Sequence, residues 1–210
     1  MRTKGWLLAV AVWYLLLSFV APMLVPGYDV STHYISELGA RGTPHAGLIA
    51  WAGFALLALL GAGTIVRIAR ARVLAGTAAV AVWLLLSEPM AYLLSAVFPC
   101  DLGCPIDGTV SQQLHNLAGV LTYPVTAVAL LLFAMQPRIG ALQRLLWLAV
   151  CMAWLVLFAL MLAPGLEPWR GLLQRTAEWV VYGALWVGAW RLAPRVEAVH
   201  DVKGRVPALP

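Results

Sequence analysis

Two cysteines, Cys100 and Cys104, flank Asp101 in the stretch FPCDLGC, residues 98–104, between two long apolar runs. On an oxidising side of a membrane, thiols at this spacing are expected to close a disulfide, with Gly103 giving the short loop its backbone freedom. Other chemistries stay open. A thiol relay usually uses C-x-x-C and a second cysteine pair, and neither is present. Two thiolates with His115 would make three zinc ligands, and the thiols could equally stay free. Cys151, in the middle of an apolar run, reads as core packing.

A second polar group lies in the stretch GYDVSTHYISELGARGTPHAG, residues 27–47. A short helix here, capped by Asp29 or Ser31 and stopped by a left-handed Gly39, would put His33, Ser36 and Glu37 on one face. These residue types suit acid–base and nucleophilic work: His33 or His115 as general base, Glu37 or Asp101 to orient it or hold a metal, Ser36 as nucleophile. Taken singly, each histidine reads as a solvated loop residue. The set has weight because all of its members fall in loops on the same side of the chain's layout.

A third group is buried in apolar sequence. Glu88, in LLLSEPMAYLL, sits about 15 Å below its helix end at the α-helical rise. A charge at that depth costs about 2.5–3.5 kcal/mol or more unless paired, hydrated or protonated, and Pro89 frees a carbonyl nearby. A helix starting at Pro168 places Arg175 about 10 Å and Glu178 about 15 Å below its start. The matching depths predict a cluster in which Arg175 neutralises Glu88 and Glu178. It would serve either as a lock between helices or as the substrate-binding floor of a water-filled cavity.

These groups are positioned by a membrane protein. The 210 residues are 62% hydrophobic and 11% charged, with ten tryptophans, more apolar surface than one soluble core of this length hides. Six stretches reach spanning length, roughly 6–25, 46–66, 73–97, 117–136, 145–163 and 168–192. The fold class is therefore an all-α bundle of six transmembrane helices, residues 1–193, followed by a short tail, 194–210. The run from Trp6 is longer than a signal-peptide core and lacks a small-x-small cleavage site, so it reads as a retained helix. With the N-terminus cytoplasmic, Arg2, Lys4, Arg67, Arg70, Arg72, Arg138, Arg144, Arg191, Arg195, Lys203 and Arg205 lie inside, and only Arg41, Arg170 and Arg175 lie outside. The positive-inside rule thus puts both termini in the cytoplasm of an inner-membrane, multi-pass protein. The net charge of +5 is explained by topology and by anionic lipid, without nucleic acid. Trp6, Trp51 and Trp169 read as interfacial anchors.

The ordered set SELG (36–39), FPCD (98–101), His115 and GLLQR (171–175) resembles the prokaryotic membrane proteins of the DUF998 family over nearly the whole chain. That resemblance implies the same multi-helix layout and marks Ser36, Glu37, Asp101, His115 and Arg175 as characteristic polar positions. It implies no established reaction. A looser likeness is to seven-helix membrane hydrolases such as the alkaline ceramidases, but their late H-x-x-x-H pair is missing from this sequence.

Two functions follow as expectations. One is a pocket on the outer face that binds a lipid or small amphiphile, or serves an envelope partner or sensor. The other is a membrane hydrolase for a lipid or lipid-linked substrate, metal-dependent if His33, His45 and His115 converge. A transporter would spread polar groups through both leaflets, and here the inner half is nearly bare of them. The cofactor, the metal and the oligomeric state are left open, with membrane lipids the expected partners.

Overall fold

The computed structural model describes residues 2–205 as an all-helical bundle. Its six long helices are α1 (Thr3–Leu24), α2 (Ala46–Ala71), α3 (Thr77–Val97), α4 (Val110–Ala134), α5 (Ala141–Met161) and α6 (Arg170–Arg205). The first five are long and apolar enough to cross a membrane, whereas α6 carries more charge. No strand occurs among the described residues. Each helix packs on its predecessor, and α1 closes on α6, so the six form a ring. In this order α3 and α6 lie on opposite sides.

The outward flank is greasy, as a lipid-facing surface must be. Val12, Phe19, Leu59, Val120, Leu145 and Met152 are all exposed large apolar side chains. Inside, one cluster around Leu17, Ile35, Leu38 and Phe54 joins α1, α2 and the first loop, and a second around Tyr123, Trp154 and Val181 joins α4, α5 and α6. Trp154 is 1% exposed, stacks on Tyr123 at 4.3 Å and donates its indole N–H to the Tyr123 carbonyl.

Three helix boundaries depart from the sequence expectation. α4 starts at Val110 rather than near 117, because the Thr109 hydroxyl accepts the Gln112 N–H and the Gln112 amide donates to the Pro105 carbonyl. His115 therefore stands within α4. α6 runs on through Pro194 to Arg205 instead of yielding to a tail at 194. Val196, fully buried, packs with Ile68, Ala71 and Val82, and this contact holds the extra turns; residues 206–210 lie outside the described residues. In the first loop the helix is a single 3-10 stretch, Ile35–Gly39, beginning after Tyr34. Asp29 caps a turn there by accepting the Ser31 N–H. Gly39 is not left-handed. Its need for glycine is steric, since a Cβ there would lie 2.7 Å from the Phe54 ring.

α1 and α2 each contain a π-helical segment, Leu16–Val20 and Ile49–Ala55. Wider turns loosen the main-chain ladder, and the Trp13 indole bonds the Ala52 carbonyl in the second of them at 2.8 Å. α3 is interrupted at Leu85–Leu86, just before Glu88 and Pro89. Proline has no N–H to give the Leu85 carbonyl, and the Glu88 N–H takes that acceptor at 3.2 Å, tightening the turn.

Candidate functional site

The loops 25–45, 98–109 and 162–169 gather at one end of the bundle, and the basic connections lie at the other. The first loop is drawn into its end of the bundle, with Ile35, Leu38 and Ala40 at 1% exposure or less. The start of α6 holds it there. The Leu172 N–H donates to the Ser31 carbonyl, Arg170 Nε to the Thr32 carbonyl, and the Gln174 side chain accepts the Ile35 N–H. A helix N-terminus has unsatisfied N–H groups, and here a loop carbonyl takes one of them.

Arg175 belongs to this anchorage and not to a cluster with the buried glutamates. Its Nη1 donates to the carbonyls of Val30 and His33 at 2.9 Å each and to that of Gly171 at 3.0 Å, and its Nη2 donates to the Tyr28 hydroxyl. The ion pair described in the structure is Arg170–Glu37, at 3.1 Å. The reason is directional. Helical side chains lean toward their own N-terminus, and α6 starts at the loop end, so Arg175 reaches up to the loop. Tyr28 is pushed up to about 12 chiefly by burial, with Arg175 opposing, so its hydroxyl stays a donor and bonds the Tyr34 carbonyl at 2.8 Å.

Four of the proposed catalytic side chains divide into two pairs. Glu37 and Asp101 are committed to local structure. Glu37 is buried and accepts from the Tyr34 N–H and from Arg170. Asp101 accepts the Thr109 N–H and hydroxyl, and that backbone donor, ahead of the side chain and Arg41, holds its carboxyl below the usual range. Ser36 and His115 do share a cavity. His33 does not join them. It lies before the 3-10 helix, bonds the backbone of Asp29 and stacks on Tyr28.

The cavity has a volume of about 90 Å³ and runs down the ring interior from Ser36, Ser95 and His115 to Glu88 and Glu178. His115 Nδ1 lies 3.1 Å from the Phe98 carbonyl, an acceptor, so Nδ1 carries the proton and Nε2 is the free nitrogen of the neutral ring. At the floor, two helices exchange partners across the ring. Tyr92 of α3 donates to Glu178 of α6 at 2.6 Å, and Tyr182 of α6 donates to Glu88 of α3 at 2.7 Å. Thr126 of α4 donates to the other Glu88 oxygen. The signal for this crossed clasp was in the sequence: EPMAY (88–92) and EWVVY (178–182) both read Glu-x-x-x-Tyr, one helical turn apart.

Cys100 and Cys104 are joined by a disulfide, with Gly103 and Cys104 at positive φ to close the tight loop. Their sulfurs and a His115 nitrogen lie within 4.8 Å of one another, the one potential metal-ligand group among the described residues. While the disulfide stands, the group offers no thiolate, and so His115 alone retains ligand character. Cys151 is buried and free, with its thiol on the Ala127 carbonyl, as core packing requires.

No curated protein and no solved structure matches the chain. The family described as Protein of unknown function (DUF998) matches residues 8–191, which takes in all the loops and side chains of this cavity, and the chain belongs to that family.

Proposed function

We propose that this multi-pass membrane protein binds a small amphiphile in the interior cavity, with the head of the ligand among the polar side chains and its entry from the loop end. The observation that carries the reading is the convergence of Glu88 and Glu178, from opposite helices, on one cavity whose other end holds Ser36, Ser95 and His115. Burying two carboxylates is costly, and a bundle needing only a lock would be served as well by apolar packing. A ligand head explains why polar groups are kept there.

The hydrolase alternative has less support. Ser36 and His115 line the cavity, but the nearest partner of the Ser36 hydroxyl is the Cys104 sulfur at 3.7 Å, and the His115 Nδ1 proton goes to a carbonyl instead of an orienting carboxylate. Binding can be tested by native mass spectrometry of the detergent-purified chain. Gly119 lines the cavity and has open space at its Cβ position, so Gly119→Leu should fill it without harming the helix. The expected result is a bound small molecule in wild type that is lost in the variant. Equal occupancy in both would sink the proposal.

The loop end is proposed to face the outside of the cytoplasmic membrane, on the strength of the basic residues concentrated at the other end. Intact cells treated with a membrane-impermeant maleimide should leave Cys100 and Cys104 unlabelled at first and label both after an impermeant reductant. Labelling without reductant would deny the disulfide. Labelling only after lysis would reverse the orientation.

A further inference from the structure

From the charge and the walls of this cavity we infer that its ligand is an organic ammonium ion, seated beside Glu88 and Glu178 and against aromatic side chains. The inference rests on the binding reading above and names the ligand class. Its first ground is that neither carboxylate has a basic side chain in direct contact. Neither carboxylate is ion-paired, since the described salt bridge is Arg170–Glu37 and the Arg175 Nη groups are spent on loop carbonyls and Tyr28. No lysine or arginine lines the cavity. The hydroxyls of Tyr182, Thr126 and Tyr92 all donate to the carboxylates, which fixes their oxygens at the floor of the cavity. A cavity so built repels a phosphate or carboxylate head and attracts a cation.

The second ground separates an ammonium ion from a metal ion. Neither Glu88 nor Glu178 belongs to a group of three potential metal ligands among the described residues. Instead the walls include Phe54, Tyr92, Tyr123, Trp154 and Tyr182. Aromatic side chains beside carboxylates suit alkylammonium heads, whose charge is spread over carbon and weakly hydrated, whereas a hard cation seeks several oxygens. An amine carried on a lipid and a free amine share this chemistry, and the experiment must separate them.

The test uses the full chain in nanodiscs of phosphatidylglycerol, which carries no amine, with calorimetric titration. Choline and ethylammonium chloride are the free cations. 3,3-Dimethylbutanol, an uncharged choline isostere, and sodium chloride are the controls. Saturable binding of either ammonium ion, with no response to the two controls, is expected. Glu88→Gln and Glu178→Gln, both near-isosteric, should each weaken it about tenfold or more, while Glu167→Gln, in an exposed loop outside the cavity, should not. Competition by nanodiscs of phosphatidylethanolamine would assign the amine to a lipid head, and its absence to a free solute; both outcomes uphold the inference. Equal binding of the isostere, binding of sodium in place of ammonium, or full retention in both glutamine variants would overturn it. If instead an uncharged or anionic amphiphile binds and Gly119→Leu abolishes that binding, the cavity reading survives and the ammonium assignment alone fails. If wild type and Gly119→Leu carry the same bound molecules and no ammonium ion binds, both fail.

Discussion

Arg175→Leu is expected to lower the stability of the solubilised protein by about 3–5 kcal/mol, because it removes a charged donor shared among several buried acceptors. Arg175 is 2% exposed, and its loss strands the Val30 carbonyl and takes a charged donor from the His33 carbonyl and the Tyr28 hydroxyl. The first loop, anchored on α6 by these bonds, should become the earliest site of proteolysis. Arg175→Lys should recover less than half of the loss, since an ammonium cannot reach the two sides of the guanidinium fork. The partner choice can be read from the double variant. The sequence analysis put Arg175 between Glu88 and Glu178, which predicts that Glu88→Gln would relieve Arg175→Leu. With Arg175 bonded to the loop, the two losses should add to within about 0.5 kcal/mol. Thermal unfolding of the four proteins decides between them, and marked recovery in the double variant would restore the ion cluster.

Gly171→Ala should be the most damaging single-methyl change in the chain. A Cβ at position 171 would overlap the His33 carbonyl oxygen and lie 2.7 Å from that of Val30, both backbone atoms fixed by Arg175. Helix propensity pulls the other way, favouring alanine by about 1 kcal/mol. The overlap wins, because relieving it means lifting the loop from α6 and losing its hydrogen bonds. A net loss of about 3 kcal/mol is expected, at the upper end for overpacking. Gly183→Ala, on the same helix with nothing within 4 Å of its Cβ, is the control and should be neutral or stabilising by up to about 1 kcal/mol. If the two variants melt together, the loop does not rest on α6 as described.

The glycine, the arginine and the glutamates differ in how far sequence alone could place them. The long apolar runs were legible because spanning length and rise per residue fix helix number. Glu88 could be assigned to α3, and Arg175 and Glu178 to α6, because position along one helix is a local property of the sequence. The disulfide was legible from spacing and Gly103. Gly171 was not, because nothing local distinguishes a glycine that another segment's backbone approaches. Glu37 and Asp101 looked like catalytic carboxylates because residue type carries chemistry but not occupancy, and both turned out to be satisfied by nearby N–H groups and, for Glu37, by Arg170.

The sequence by itself therefore determined the membrane class, the helix count, the positions of the buried charges along their helices and the segregation of polar side chains to one end. The tertiary structure decided which way each charge faces and what it touches. Arg175 and Glu178 are three residues apart on α6, yet one reaches back to the first loop and the other reaches Tyr92 across the ring. Rise along a helix is a local property of the backbone. Rotation about its axis and the identity of the facing helix are set by packing among all six, and only their assembly brings Glu88, Tyr92, Glu178 and Tyr182 together in a crossed clasp.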